Sequence, residues 1–155
     1  MLRLSAVPLS FLSIALLAQT ASDPWKDPDL MQPSALAARL TASEPKPAIW
    51  YVGFPVLYRS AHISGAELAG PASKPEGLER LKQMAAKLPR DQELVIYCGC
   101  CPWDQCPNVR PAFRALHEMG FTRLKLVTIP TNLSTDWVKK GYSTERAAEP
   151  KSKQE

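Results

Sequence analysis

The sequence predicts an α/β fold in which a mainly parallel central sheet is flanked by helices. Short apolar runs typical of buried strands alternate with stretches that place apolar residues on one helical face, and the links between them are short. Of the 155 residues, 45% are hydrophobic and 22% are charged, which suits one domain around one core. The same composition excludes a coiled coil and a wholly disordered chain.

Helices and strands are predicted to follow one another from residue 33 to residue 140. Continuous apolar runs indicate strands, apolar residues three or four positions apart indicate helices, and prolines mark several ends. The predicted elements are a helix at 33–40, a strand at 49–52, a structured loop at 54–70, a helix at 75–88, a strand at 94–97, a helix at 109–119, a strand at 124–129 and a short helix at 133–140. The strand at 94–97 is continuously apolar, so Ile96 is expected to be buried on both faces of the sheet.

The first 21 residues have the features of a secretory signal peptide. Arg3 precedes an apolar run from Leu4 to Ala18, and small residues follow up to Ala21. The run is shorter than the about 20 residues that a membrane-spanning helix needs. We therefore expect export, to the periplasm or outside the cell, and no membrane attachment of the mature chain unless this segment stays uncleaved.

The rest of the chain divides into three segments. Residues 22–31 are polar and broken by proline, which predicts a lead-in loop. Residues 32–142 form the α/β domain, and residues 143–155 form a polar tail that is predicted to be disordered because it lacks a core-facing pattern. The formal charge is +4 with acids interspersed among the basic residues, so no nucleic-acid partner is implied.

All four cysteines lie within nine residues, at positions 98, 100, 101 and 106. They follow the predicted strand at 94–97 and precede a helix, at the edge of the sheet where α/β proteins bind ligands. Disulfides that stabilise a small fold join distant segments, and cysteines this close in sequence do not do so. The start of the following helix favours negative charge, so it is expected to shift a nearby thiol towards the reactive thiolate.

Each cysteine has a predicted part in this chemistry. Cys98 is the predicted nucleophile, because it directly follows the strand. Cys101 is the candidate resolving thiol, since it forms a C-x-x-C pair with Cys98. Cys100 could instead form a disulfide with its neighbour Cys101, and Cys106 is a further partner.

Several short motifs occur in an order that resembles the rhodanese-like sulfurtransferase family, between residues 32 and 142. The stretch Ala61-His62-Ile63-Ser64-Gly65-Ala66 is similar to the family's His-Ile-Pro-Gly-Ala turn, with serine in place of proline. The stretch Val95-Ile96-Tyr97-Cys98 is similar to the strand that carries its active cysteine. The resemblance implies a single rhodanese-like domain, a three-layer fold with a mainly parallel central sheet flanked by helices.

The resemblance also implies an activity. A persulfide on Cys98 would carry sulfane sulfur from a small donor to a thiol acceptor, without a cofactor. Amides of the loop and the helix start would stabilise the anion, and Arg110 is the candidate for binding an anionic donor. Trp103 and Asp104 are candidates for the mouth of the loop, or Trp103 is an apolar peg that closes it. A redox protein is a further candidate partner.

The loop also departs from the family pattern. It is longer, its extra residues hold the additional cysteines, and Tyr51-Val52-Gly53 stands where relatives often have Asp-Val-Arg. Two alternatives therefore stay open. One is a module in which the four cysteines exchange disulfides or bind Cu(I) or Zn²⁺, and the other is a non-catalytic binding domain. His62 is expected to fix its turn by hydrogen bonding.

Overall fold

The structure of the protein, a computed structural model, describes residues 22–147. The predicted signal peptide and the end of the predicted polar tail lie outside the described residues. The strands are β1 (Leu30–Met31), β2 (Ala48–Tyr51), β3 (His62–Ile63), β4 (Ala66–Leu68), β5 (Leu94–Tyr97), β6 (Leu124–Val127) and β7 (Thr144–Glu145). The helices are α1 (Pro33–Thr41), α2 (Pro55–Ser60), α3 (Pro75–Ala85), α4 (Val109–Glu118) and α5 (Leu133–Asp136), with 3₁₀ turns at Asp27–Asp29, Trp103–Gln105 and Val138–Lys140.

Five strands form one parallel sheet in the order β1-β6-β5-β2-β4, and β3 pairs with β7 in a separate antiparallel ladder. The central strand β5 is buried along its whole length, and Ile96 has no exposed surface. The predicted burial of Ile96 on both faces is therefore confirmed. The α/β class with a mainly parallel sheet is confirmed as well.

Alternate residues of β5 divide the core into two layers. Leu94 and Ile96 belong to the apolar cluster beneath α3 and α4, whereas Val95 and Tyr97 belong to the cluster beneath α1 and α5. The helices α1, α2 and α3 each begin with proline, which suits a first helical position. Helices therefore cover both faces of the sheet, as a parallel sheet requires.

Three segments differ from the prediction. The lead-in segment contains β1, which pairs with β6, and Trp25, whose ring packs against Phe113. The segment predicted as a loop at 54–70 contains α2, β3 and β4. The start of the predicted tail forms β7 on β3. These strands have two or three residues, too few for a visible periodicity, and backbone pairing with a partner far along the chain forms them. Within residues 22–147 no helix has the length and apolar character needed to cross a membrane.

Candidate functional site

Cys98 lies directly after β5, at the carboxyl edge of the parallel sheet. Its neighbour β2 ends at the same edge, where the Val52 amide donates to the Tyr97 carbonyl oxygen at 2.9 Å. Gly99 then reverses the chain with a φ of +77°, a conformation that favours glycine. The Gly99 carbonyl oxygen accepts a hydrogen bond from the Leu133 amide at 2.8 Å. The backbone of Cys98 is thus fixed by the sheet on one side and by α5 on the other.

The four thiols form one cluster with the Cys100 sulfur at its centre. Cys100 Sγ lies 3.1 Å from Cys98 Sγ, 3.3 Å from Cys101 Sγ and 3.9 Å from Cys106 Sγ. The sulfurs of Cys98, Cys100 and Cys106 all lie within 4.8 Å of one another. The sequence predicted Cys101 as the resolving partner of Cys98, but the thiol that the structure brings against Cys98 is Cys100.

Asn108, whose part in the site no sequence pattern predicted, contacts two sulfurs of the cluster through its side-chain amide. This residue precedes α4 and is fully buried. Its Oδ1 accepts a hydrogen bond from the Ser73 amide at 3.0 Å, which orients Nδ2 towards the sulfurs. Nδ2 donates long hydrogen bonds to Cys98 Sγ at 3.6 Å and to Cys106 Sγ at 4.0 Å. The available signal was a polar residue two positions after the last cysteine, at a helix start, but the same position suits an ordinary cap.

The hydrogen bonds within the cluster divide the thiols into donors and acceptors. Hydrogen bonding from Cys98, together with the Asn108 backbone amide, lowers the pKa of Cys106 to about 5. The same Cys98 proton can instead be donated to Cys100 Sγ, 3.1 Å away, and this hydrogen bond lowers the pKa of Cys100. The pKa of Cys98 is raised, first because it donates to Cys100, and burial raises the pKa of Cys101 to about 12. These shifts favour negative charge on Cys106, move Cys100 in the same direction, and keep the proton on Cys98.

Gly53 and Tyr51 form the wall beside the Cys98 sulfur. A Cβ atom on Gly53 would lie 2.7 Å from Cys98 Sγ and 2.5 Å from the Tyr51 hydroxyl oxygen, so only glycine fits there. The Tyr51 hydroxyl is buried without a hydrogen-bond partner among the described residues, and burial raises its pKa. This close contact explains why glycine ends the stretch Tyr51-Val52-Gly53.

A cavity of about 490 Å³ opens beside the two thiols nearest the sheet. Its walls are formed by the end of β2, by α2, and by the segment that contains α5 and the following 3₁₀ turn. Cys98 and Cys100 line this cavity, whereas Cys101 and Cys106 do not. A small reactant in the cavity can therefore reach the two thiols that are 3.1 Å apart.

The other predicted loop residues serve the N-terminal segment instead of the cavity. The Arg110 Nε donates to Asp23 Oδ1 at 2.6 Å, and its guanidinium lies 5.3 Å from the centre of the Trp25 ring. Arg110 does not line the cavity, so the structure gives it no contact with an anionic donor there. Trp103 packs against Trp25 at 5.6 Å, in keeping with an apolar peg, and Asp104 is exposed.

His62 fixes the turn that follows α2, in line with its expected role. Its Nδ1 donates a hydrogen bond to the Tyr58 carbonyl oxygen at 2.8 Å. The imidazole ring stacks on the Tyr58 ring, with 3.8 Å between the ring centres. Nε2 lies 3.8 Å from a carboxylate oxygen of Glu145 in β7. The histidine thus joins α2 to the second ladder and contributes no group to the cysteine cluster.

Comparison with known proteins gives matches among solved structures alone. No protein-family model and no curated protein sequence matches the chain. The solution structure of the rhodanese-like domain of the Alr3790 protein from Anabaena sp. is 18% identical, with a TM-score of 0.60 over 82% of this chain and 86% of that one. A crystal structure of a rhodanese-like domain protein from Staphylococcus aureus is 15% identical, with a TM-score of 0.51 over 77% of this chain and 99% of that one. The chain therefore has the rhodanese-like fold, in a single domain.

Proposed function

We propose that the protein transfers sulfane sulfur through a persulfide formed on Cys98. The observation that carries the proposal is the position of the Cys98 sulfur, which borders the cavity at the carboxyl edge of the sheet and lies 3.1 Å from Cys100 Sγ. The strand β5 anchors the backbone of this cysteine, so donor and acceptor meet the sulfur in one geometry. The cysteines at 101 and 106 lie behind it and do not border the cavity.

In the first half-reaction, Cys98 gives its proton to Cys100 Sγ when that sulfur, 3.1 Å away, is in its thiolate form, and the Cys98 sulfur attacks the terminal sulfur of a small donor such as an organic persulfide. A new sulfur–sulfur bond forms as the donor's sulfur–sulfur bond breaks, and the rest of the donor leaves as a thiolate with the bonding electron pair. The 3.1 Å distance between the two sulfurs supports Cys100 as the proton acceptor, and its lowered pKa favours the thiolate form that this role requires. The backbone amide of Cys100 and Asn108 Nδ2 are the donors that face the charge on Cys98.

In the second half-reaction, an acceptor thiolate attacks the outer sulfur of the persulfide, and Cys98 leaves as a thiolate and takes back its proton. When no acceptor arrives, Cys100 attacks the inner sulfur instead. A Cys98–Cys100 disulfide then forms, hydrosulfide leaves with the bonding pair, and a dithiol reductant restores the two thiols. Cys100 therefore replaces Cys101 as the resolving thiol.

Loading of the reduced protein with thiosulfate or cysteine persulfide tests the proposal. Mass spectrometry should show the gain of one sulfur atom in the parent, in Cys101→Ser and in Cys106→Ser, and no gain in Cys98→Ser. Cys100→Ser should load more slowly and keep its persulfide longer, because it lacks both the proton acceptor and the resolving thiol. Loading of Cys98→Ser without loading of Cys101→Ser would assign the carrier to Cys101. No loading of the folded parent by either donor would exclude sulfur transfer.

We also propose that the protein is exported to an oxidising compartment, the periplasm or the cell exterior. The support is the order of charged, apolar and small residues at the N-terminus. N-terminal sequencing of the protein from the periplasmic or culture fraction should find a mature chain that starts between Gln19 and Ser22. A chain in that fraction that starts at Met1 would contradict cleavage.

A second candidate function is the binding of a soft metal ion by three of the cysteines. The observation that favours it is that the sulfurs of Cys98, Cys100 and Cys106 lie within 4.8 Å of one another. Two thiolates on one ion can be at most about 4.6 Å apart, since a zinc–sulfur bond is about 2.3 Å long. A small movement of the three cysteine side chains would therefore bring their sulfurs within reach of one Cu(I) or Zn²⁺ ion. Anaerobic titration with Cu(I) should show binding that is lost in Cys106→Ser, whereas sulfur loading survives there. Unchanged Cu(I) affinity of Cys106→Ser would contradict a three-cysteine site.

A further inference from the structure

We propose that the face around the cavity mouth docks a protein segment that presents the acceptor thiol between apolar side chains and next to acidic residues. The inference rests on the proposed function and names the class of its acceptor: a cysteine of a protein, in place of a free small thiol. Three features of the molecule support it: the distribution of exposed apolar side chains, the charges beside them, and the depth of the reacting sulfur.

The exposed apolar side chains lie in the cavity wall or next to it along the chain. Among residues 22–147, the large hydrophobic side chains that are exposed are Phe54, Val56, Leu57 and Val138, with exposed fractions of 38% to 62%. Leu57 on α2 and Val138 in the 3₁₀ turn after α5 both line the cavity, and the other two lie on α2 or immediately before it. Exposed apolar groups gathered in one place mark a surface that another molecule covers.

Unpaired positive charges accompany these apolar groups. Arg59, Lys139 and Lys140 are exposed, and none of them forms an ion pair within the part of the chain that the structure describes. Arg59 lies on α2, and the two lysines lie in the 3₁₀ turn after α5. The acidic residue on these elements is Asp136 of α5, whose Oδ2 already accepts hydrogen bonds from the backbone amides of residues 131 and 132. The rim is therefore positive as well as apolar, and it complements a segment with acidic flanks.

The interior of the cavity favours the same kind of acceptor. Its walls contain no charged side chain apart from the thiols, so a small anionic acceptor finds no counter-charge inside. Cys98 is only 2% exposed, so an acceptor must reach inward from the rim. A cysteine side chain can do so while its neighbours cover the apolar rim. A lipid surface would match the apolar and basic rim, but it brings no thiol to the cavity.

Transfer to synthetic peptides tests the inference directly. The parent protein is loaded with sulfane sulfur, and transfer to acetyl-Glu-Leu-Cys-Leu-Glu-amide is compared with transfer to the Lys-Leu-Cys-Leu-Lys and Glu-Ser-Cys-Ser-Glu peptides. The first peptide should react at least tenfold faster than either of the others, and added salt should reduce its advantage over the lysine peptide. Each rate is divided by the rate of transfer to cyanide, which reports the chemistry inside the cavity.

Variants of the rim separate docking from chemistry. Val56→Ser and Lys139→Glu should each reduce the ratio of acidic-peptide to cyanide transfer at least fivefold. Lys87→Glu, which changes an exposed lysine in the turn after α3 that does not line the cavity, should not reduce it. Equal reaction of the three peptides, or ratios unchanged in both rim variants, would overturn the inference. Binding to vesicles containing phosphatidylglycerol that is lost in the rim variants, without any preference among the peptides, would assign the face to a membrane and also overturn it.

Failure of the sulfur chemistry leaves the docking inference testable. If the parent forms no persulfide, the proposed function fails, and binding is measured by fluorescence anisotropy with labelled peptides in which serine replaces cysteine. The acidic apolar peptide should still bind more tightly than the lysine peptide, and Val56→Ser should still weaken its binding. No difference between these peptides would overturn the docking surface independently of the persulfide.

Discussion

Alanine at Gly53 is the sharpest single test of how the sheet positions the reacting sulfur. The added Cβ would lie 2.7 Å from Cys98 Sγ and 2.5 Å from the Tyr51 hydroxyl oxygen, whereas ordinary contacts begin at 3.4 Å. Both neighbours are buried and belong to the central strands or follow them directly, so neither can turn freely out to solvent. The Cys98 sulfur must therefore retreat by about 0.7 Å, the difference between the ordinary contact distance of 3.4 Å and the 2.7 Å that the added Cβ would have.

The size of that displacement sets the expected loss of rate. A reacting atom misplaced by about 1 Å can cost about a hundredfold in rate, so we expect persulfide formation on Gly53→Ala to be about 10- to 100-fold slower. Crowding a packed core costs typically about 1–3 kcal/mol, so a loss of that order is expected in the free energy of unfolding. The substitution adds one methyl group and removes no thiol.

Single-turnover loading, followed by mass spectrometry, measures the rate, and urea denaturation measures the free energy of unfolding. Gly65→Ala is the matched control: its Cβ meets no atom within 4 Å, and its φ of +77° imposes only backbone strain, of about 1–2 kcal/mol. The control should lose stability and keep its loading rate. A folded Gly53→Ala protein that loads at the parent rate would refute the argument that this contact positions the sulfur of Cys98.

The remaining predictions concern the core, the N-terminal segment and the thiol cluster. Ile96→Ala should reduce the free energy of unfolding by about 2–5 kcal/mol in urea denaturation, because it leaves a cavity in a strand buried on both faces; a loss below about 0.5 kcal/mol would contradict that burial. Trp25→Ala should reduce the free energy of unfolding by about 3–5 kcal/mol. It should also speed alkylation of the loop thiols, since the Trp25 ring covers Trp103, and an unchanged alkylation rate would show that the ring does not hold the loop. The ultraviolet absorbance of the Cys106 thiolate should disappear as the pH falls through about 5, because its pKa is lowered. In Cys98→Ala, which lacks the hydrogen-bond donor, that midpoint should rise towards the ordinary thiol range; an unmoved midpoint would contradict the assigned donor.

The parts of the fold that could be predicted are those with long apolar runs. The strands β2 and β5 carry continuous apolar residues, β6 interrupts its apolar residues only at Lys125, and the helix α4 carries an apolar face, so local patterns identify them. The strands β1 and β7 could not be predicted, because each has two residues and forms by pairing with a segment far along the chain. The position of Cys98 after β5 followed from the same reasoning about parallel sheets.

The internal arrangement of the cluster could not be predicted from spacing. C-x-x-C spacing favours Cys101 as the partner of Cys98, but the turn at Gly99 brings Cys100 to 3.1 Å instead. Asn108 has the residue type of an ordinary cap, and its contact with two sulfurs depends on a loop whose path no local pattern encodes. Arg110 has the residue type of an anion ligand, but Asp23, far earlier in the chain, pairs with it.

The route by which the N-terminal segment joins the domain has a consequence for the order of folding. Leu30 pairs with Leu126, so the first strand of the sheet finds its partner only after nearly the whole domain has been synthesised. Closing so long a loop is entropically costly, and contacts of this kind form late. Trp25, which covers the cysteine loop through Trp103, becomes ordered together with that strand. We therefore expect the nascent chain to pass through a stage in which the thiols of Cys101 and Cys106, which do not border the cavity, are uncovered. Pulsed alkylation during refolding should find these two thiols protected only in the last kinetic phase.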